Sequence, residues 1–219
     1  KKINKKVLEL SSDEASYEKG DFKHFMAKEI EEQPNTIKTG IKEYVDKANS
    51  EINIYNFPWN INEINSIKLI GCGTAYHSCL MAKYWFEDIA KIRCNIEVAS
   101  EYRYRHPILL DGTLFVTISQ SGETADTLEA LKTAKKINKQ INTLCICNSA
   151  ESSITRESEL TFLTHAGPEI GVASTKAFTA QLTVLISFAV ALADARGAIT
   201  PQRADEIQAQ IQAMPGLVG

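Results

Sequence analysis

Short apolar runs that alternate with helical patterns are the feature that most constrains the fold of this chain. Five runs have the length and composition of buried strands, at residues 67–70, 94–98, 113–118, 142–147 and 160–164. Apolar residues recur at helical spacing over about residues 77–90, 124–137 and 174–195. Because strands that alternate with helices form parallel sheets covered on both faces, we predict an α/β fold, a three-layer α/β/α sandwich with a five-stranded parallel sheet.

Helical patterns also flank the predicted sandwich. A helical stripe runs from Phe22 to Ile30, Pro34 interrupts it, and helical spacing resumes from Ile37 to Val45. An Asn-rich connection follows at residues 49–64, and a last amphipathic helix covers about residues 202–214. We therefore predict a linker or tail at residues 1–20, a helical extension at 21–65, the sandwich domain at 66–198 and a C-terminal helix at 199–219.

Charge and hydropathy exclude several classes of partner. The formal net charge of −3 and the lack of a long basic run argue against a nucleic-acid-binding surface. A basic cluster at Lys1, Lys2, Lys5 and Lys6 is interpreted as a solvated tail. The longest apolar run, residues 182–192, is shorter than the ~18 residues that a membrane span needs, so we predict a buried helix there.

Cysteine and histidine usage gives no metal site. The 5 cysteines form no paired framework, which indicates reduced thiols, and no signal-peptide pattern is visible, so we expect a cytoplasmic protein without membrane contact. The 4 histidines show no metal-ligand spacing. His165 ends the fifth predicted strand and could approach a site there, although a structural role is the simpler interpretation.

The turn after the third predicted strand has the chemistry of an anion site. Three hydroxyls, at Ser119, Ser121 and Thr124, surround Gly122 just before a helical pattern. The free N–H groups and dipole of a helix N-terminus favour an anion, and a glycine lets the backbone pass close to a ligand. We predict a phosphate site without its own Lys or Arg. The alternative is helix capping, which would need one hydroxyl and not three.

Two further glycine-bearing turns follow strand ends. Gly71-Cys72-Gly73 resembles the start of a dinucleotide-binding fingerprint, but Tyr76 occupies the third glycine position. A tight strand–helix turn and a part in a sugar-phosphate site are the other interpretations. In the loop at residues 167–176, we predict Ser174 as a helix N-cap. Lys176 in the first helical turn needs a partner, either a carboxylate such as Glu169 or a ligand anion.

Several motifs together resemble the first sugar-isomerase (SIS) domain of the glutamine–fructose-6-phosphate aminotransferase family. They are His24–Pro34, Cys72–His77, Ala99–Arg105, Ser119–Thr127 and Glu169–Thr179. The resemblance implies part of an enzyme that forms glucosamine 6-phosphate from fructose 6-phosphate and glutamine for amino-sugar biosynthesis. It also implies a homodimer and a reaction without a metal or an organic cofactor.

The resemblance also assigns roles at the site. It implies that the phosphate contacts are Ser119, Gln120, Ser121 and Thr124 and that the residues lining the sugar are Thr74, Val172 and Ser174. Many members carry serine where this chain has Ala75, so that hydroxyl contact is not expected here. The catalytic groups of the family belong to segments outside this chain. We therefore assign no catalytic residue and expect binding of hexose 6-phosphate with little or no catalysis. The alternative is a non-catalytic SIS-type sugar-phosphate sensor.

Overall fold

The computed structural model describes residues 17–46, 51–52 and 57–219. The predicted tail at residues 1–20, with its lysine cluster, lies outside the described residues except for residues 17–20. The predicted connection at 49–64 is described only in part, and the proposed division into four segments stays a prediction.

The helical extension begins with two consecutive helices, α1 (Phe25–Glu31) and α2 (Gln33–Tyr44), as the interruption at Pro34 indicated. Pro34 lies in the first turn of α2, where a missing N–H costs nothing. Two short antiparallel strands follow, β1 (Val45–Asp46) and β2 (Glu51–Ile52).

A sheet of five parallel strands forms the centre of the protein and confirms the predicted fold. Its strands are β3 (Ser66–Gly71), β4 (Arg93–Val98), β5 (Thr113–Ser119), β6 (Asn142–Cys147) and β7 (Leu160–Leu163), in the order β4-β3-β5-β6-β7. All residues of β3 and β5 are buried, which explains why these strands are largely apolar on both faces. The chain moves outward in one direction from β3 to β4 and in the other from β5 to β7, so the strand order reverses between β3 and β5.

Six helices follow the strands or end the chain. They are α3 (Gly73–Asp88), α4 (Ala99–Tyr104), α5 (Ala125–Ile137), α6 (Ser153–Glu157), α7 (Lys176–Ala195) and α8 (Pro201–Val218). The prediction placed the start of α3 at His77, which is too late. Gly73 and Thr74 are exposed, so the first turn carries little of the apolar periodicity on which that prediction relied. The short helices α4 and α6 were not predicted.

Helices cover both faces of the sheet, as a three-layer sandwich requires. On one face, Phe86 of α3 and Phe188 of α7 pack with Leu69 and Val116 of the sheet. On the other face, Tyr102 of α4, Leu131 of α5 and Ile154 of α6 pack with the strand residues Ile70, Phe115 and Cys145.

The extension packs on the outside of α7. Ile37 and Ile41 of α2 form a cluster with Ile186 and Val190 of α7, which Ile207 and Ile211 of α8 complete. This packing explains why α7 is apolar around its whole circumference. Among the described residues, α7 alone has the length and composition of a membrane span, with a mean hydropathy of 1.6, but 78 % of that window is buried inside the protein. The buried helix predicted for residues 182–192 is confirmed.

Candidate functional site

A cavity of about 320 Å³ opens at the carboxyl ends of β3 and β5. This is the point where the strand order reverses, and parallel α/β sheets bind their ligands at such points. The cavity is lined by Cys72, Gly73, Thr74, Ala75, Ile118, Ser119, Gln120, Ser121, Thr124, Glu169, Gly171, Val172, Ser174 and Gln181. The first turn of α3 and the residues just before α5 and α7 therefore form the walls of one cavity.

All seven residues predicted for the site line this cavity. They are Thr74, Ser119, Gln120, Ser121, Thr124, Val172 and Ser174. Their shared position is a geometric result, and their binding of a ligand stays a prediction. Ala75 lies in the same wall and has no hydroxyl to offer. The lining also includes Gln181, which the sequence pattern did not single out.

The hydroxyls of the turn after β5 are partly engaged in shaping it. The buried Ser119 Oγ accepts a hydrogen bond from Gly122 N at 3.0 Å and lies 3.3 Å from Thr124 Oγ1. Ser121 Oγ accepts from Glu123 N at 3.2 Å. A hydroxyl that accepts a hydrogen bond keeps its own proton for donation. The turn can therefore hold its shape and still offer hydroxyl donors to an anion.

Helix capping does not explain Thr124. Thr124 is the N-cap residue of α5, but its side chain makes no capping hydrogen bond. By contrast, Ser152 caps α6 by accepting from Thr155 N, and Thr200 caps α8 by accepting from Arg203 N. The Thr124 hydroxyl instead lies 3.3 Å from Ser119 Oγ, within the turn.

Close packing requires glycine at position 122. Its φ is +68°, and a Cβ there would lie within 3.0 Å of Ser152 and 2.8 Å from Cys147 Sγ. Glycine is required there because the turn packs closely against Ser152 and Cys147, and its predicted part in the approach of a ligand stays a prediction. Glu123 Oε1 accepts from Ser153 N at 2.8 Å, and hydrogen bonds with the side chain and then the backbone of Ser153 lower the pKa of the Glu123 carboxyl.

The glycines after β3 form a tight strand–helix turn. A Cβ at Gly71 would lie 3.0 Å from the backbone of Ala75 and Tyr76, and Gly73 has a φ of +56°. These two constraints account for the glycine pattern without a dinucleotide. The turn brings Thr74 and the N-terminus of α3 to the cavity.

Glu169 organises the loop before α7. It accepts from Ser174 Oγ at 3.0 Å, from Thr175 N at 2.9 Å and from Ala177 N at 3.1 Å. The N-cap of α7 is Thr175 and not Ser174, so the predicted N-cap is wrong by one residue. A carboxylate from outside the helix satisfies its first N–H groups instead. The Ser174 hydroxyl is thereby held at the edge of the cavity.

Lys176 has a carboxylate partner, but this partner is not Glu169, the residue that the sequence analysis named. Its Nζ lies 2.6 Å from Glu32 Oε2, and the residue is 4 % exposed. The carboxylate interpretation is therefore correct in kind, while Glu169 is the wrong partner. Beside this pair, the buried Glu29 of α1 accepts from Ile170 N at 2.6 Å and from Gly171 N at 3.0 Å. The helical extension thus holds the loop that carries Val172 and Ser174.

The cavity is almost free of charged side chains. Glu169 is the one charged residue in its lining, and none of the described residues that line it is Lys, Arg or His. His165 lies elsewhere, in the wall of a second cavity of about 230 Å³ beside Tyr44 and Phe162. Within residues 17–46, 51–52 and 57–219, no cluster of His, Cys, Asp or Glu is arranged to hold a metal ion.

The family model of the SIS domain matches residues 60–191, which include both strand-end turns and the loop before α7. This chain belongs to the SIS domain family. The match covers the five-stranded sheet and all the residues that line the cavity.

The similarity to known proteins extends beyond the residues that the domain model matches. The SIS chain is 43 % identical over 219 residues to a glutamine–fructose-6-phosphate aminotransferase (isomerizing) of Acinetobacter baylyi, covering 98 % of this chain and 36 % of that protein. The enzyme of the same name from Neisseria meningitidis serogroup A is 47 % identical over 97 % of this chain and 34 % of its own length. The chain thus spans about a third of these relatives.

A solved structure agrees with the fold. The C-terminal domain of glucosamine-fructose-6-phosphate aminotransferase from Francisella tularensis superposes with a TM-score of 0.87 at 43 % identity. The superposition covers 91 % of the SIS chain and 56 % of that domain.

Proposed function

We propose that the cavity binds a hexose 6-phosphate, with fructose 6-phosphate and glucosamine 6-phosphate as the ligands of choice. The chain would then be the sugar-phosphate-binding part of the isomerase domain in an enzyme that forms glucosamine 6-phosphate from fructose 6-phosphate and glutamine. The observation that carries the proposal is the set of hydroxyls from Ser119, Ser121 and Thr124 that line a cation-free cavity at a helix N-terminus. The printed names of the similar enzymes support the choice of sugar.

The proposed orientation follows from which groups donate hydrogen bonds. The Ser119–Thr124 turn combines hydroxyl donors with the positive end of the α5 dipole, so it would hold the phosphate. A hydrogen bond to a charged group contributes about 1.5–3 kcal/mol, and several such donors can hold a phosphate without a cation. The sugar would then extend toward Thr74, Val172 and Ser174 on the other walls.

Exposed apolar side chains beside the cavity favour contact with a second protein chain. Val172 and Ile170 expose apolar side chains on the loop beside the cavity, with Val172 at 107 % of its reference exposure. We propose that the chain acts in a cytoplasmic homodimeric enzyme, and sedimentation velocity would report the dimer. A non-catalytic sugar-phosphate sensor is less well supported, because the similar proteins that cover nearly the whole chain carry the name of an enzyme.

Replacing Thr124 by valine tests the phosphate site. The change Thr124→Val removes a hydroxyl and keeps the shape, and Thr124 does not cap α5 through its side chain. We expect fructose 6-phosphate to bind about 10-fold or more weakly, with little change in stability. Isothermal titration calorimetry and thermal unfolding measure the two effects.

The matched control is Thr200→Val, which removes a hydroxyl that caps α8 far along the chain. We expect this variant to lose about 1 kcal/mol of stability and to bind the sugar phosphate normally. Unchanged affinity in Thr124→Val, or equal losses of affinity in both variants, would contradict the proposed phosphate site.

A further inference from the structure

Gln181 is a buried polar residue of the cavity wall whose hydrogen bonding is incomplete. It lies in the second turn of α7, is 2 % exposed and lines the cavity. Its Oε1 atom is buried and has no hydrogen-bond partner in the described part of the chain. Five side-chain atoms of the described residues share this condition, and Gln181 is the one whose residue lines the cavity.

An unpaired buried amide oxygen is costly and needs an explanation. Buried polar groups are nearly always paired, and a missing partner costs about 1–3 kcal/mol. Other buried polar side chains of α7 avoid this cost within the helix. Thr183 Oγ1 donates to Thr179 O at 2.9 Å, and Ser187 Oγ donates to Thr183 O at 2.8 Å. Gln181, a residue of the cavity wall, therefore differs from its neighbours in having a buried side-chain oxygen without a hydrogen bond.

We infer that the Gln181 amide binds a hydroxyl of the sugar and selects sugar phosphates over phosphate alone. This inference rests on the proposed function of the same cavity. An amide oxygen needs a donor, and the phosphate group of a sugar phosphate, with nearly two negative charges, offers oxygens that accept. Sugar hydroxyls donate as well as accept.

The position of Gln181 agrees with a contact to the sugar. It stands on α7, the helix that follows Val172 and Ser174, and these residues are expected to line the sugar. The hydroxyl-rich turn that would hold the phosphate belongs to another element, between β5 and α5. The Gln181 amide can therefore distinguish a sugar phosphate from phosphate alone, while the turn at residues 119–124 supplies the affinity for the phosphate group.

The test is Gln181→Met, which keeps the length of the side chain and removes its hydrogen bonding. We expect fructose 6-phosphate to bind about 10-fold more weakly, while inorganic phosphate binds with unchanged affinity. The folded state should be at least as stable as that of the unsubstituted chain, because no internal hydrogen bond is lost. Calorimetry with both ligands and thermal unfolding measure these effects. The matched control on the same helix, Thr183→Val, should leave both affinities unchanged.

Deoxy analogues identify the hydroxyl. In a double-mutant cycle between Gln181→Met and hexose 6-phosphates that lack one hydroxyl each, one analogue should bind both proteins equally. If Gln181→Met does not fold, the side-chain amide signals of Gln181 in the unsubstituted chain report the contact by NMR. They should shift with fructose 6-phosphate and stay in place with inorganic phosphate.

The outcomes separate the two proposals. If the unsubstituted chain binds fructose 6-phosphate and Gln181→Met binds it equally well, the inference about Gln181 is wrong and the proposed function stands. Equal weakening for fructose 6-phosphate and inorganic phosphate would also overturn it, because the amide would then serve the phosphate. If the unsubstituted chain binds neither ligand, both proposals are wrong.

Discussion

Gly122 illustrates how one backbone conformation supports the whole phosphate turn. Its positive φ places the turn against the N-terminus of α6, where Ile154 N donates to Gly122 O at 3.0 Å and Ser153 N donates to Glu123. These contacts hold the turn through residues that do not line the cavity. Its hydroxyls can remain in place before a ligand arrives, which reduces the entropy lost on binding.

Alanine at position 122 should be strongly destabilising. A left-handed conformation costs a non-glycine residue about 1–2 kcal/mol, and overpacking against Ser152 and Cys147 adds about 1–3 kcal/mol. We expect Gly122→Ala to lose about 3 kcal/mol in urea-induced unfolding. The control Gly197→Ala has a φ of +63° with no described atom within 4 Å of the new Cβ, so it should lose only about 1 kcal/mol. Equal losses would show that packing against Ser152 is unimportant.

At the scale of elements, the extension and the loop before α7 form one unit. Glu29 of α1 binds the backbone of Ile170 and Gly171, and Glu32 binds Lys176 at the start of α7. A Cβ on Gly171 would lie 2.5 Å from Glu29 Oε2, so the contact also requires glycine at that position. Helix α1 therefore shapes one wall of the cavity without lining it.

In the Lys176–Glu32 pair, replacing Glu32 should lower the stability of the protein more than replacing Lys176. The Lys176 side chain is 5 % exposed and that of Glu32 is 31 % exposed. Glu32→Met leaves a buried ammonium without its charged partner, and we expect a loss of about 3–5 kcal/mol. Lys176→Met leaves a carboxylate that reaches solvent and lies 3.5 Å from Lys28 Nζ, so about 1 kcal/mol should be lost.

Chemical denaturation of both single variants and of the double variant measures this difference. The double variant should be more stable than Glu32→Met alone, because no buried charge is left unpaired. A larger loss for Lys176→Met than for Glu32→Met would contradict the interpretation of the buried pair.

On the scale of the whole molecule, the sheet order brings distant segments to one cavity. The turns after β3 and β5 are neighbours because these strands are adjacent, although β4 lies between them in sequence. The loop before α7 completes the cavity from a third direction. What these segments contribute is mainly hydrogen-bond donors, and this composition suits binding better than proton transfer.

We therefore expect the chain to bind hexose 6-phosphates without isomerising them. Moving a proton between two sugar carbons needs a positioned base. The titratable residues that line the cavity are Cys72 and Glu169, and the Glu169 carboxylate is already bonded to Ser174, Thr175 and Ala177. Incubation of the chain with fructose 6-phosphate in D₂O, followed by NMR, should show no deuterium at carbon 1. Protein-dependent exchange there would reveal a base that this interpretation lacks.

Local patterns determined much of the fold and of the site. Alternating apolar runs and helical stripes predicted the five parallel strands, because burial on both faces imposes that composition. The hydroxyl-rich turn at residues 119–124 was visible because strand, turn and helix start are contiguous in sequence. The four predicted site residues of this turn line one cavity together with Thr74, Val172 and Ser174 from the two other segments.

Only the tertiary structure decided the long-range partners. Glu29 meets Gly171 across 142 positions of sequence, and Lys176 meets Glu32 across 144. Gln181 lies in a helix that is apolar on nearly every side, so its periodicity does not mark the cavity. Turn chemistry and periodicity are properties of neighbouring residues, whereas these contacts depend on which faces of separate helices pack together. The sequence alone therefore determined the sheet and the hydroxyl turn, and packing determined the unpaired amide oxygen of a residue that lines the same cavity.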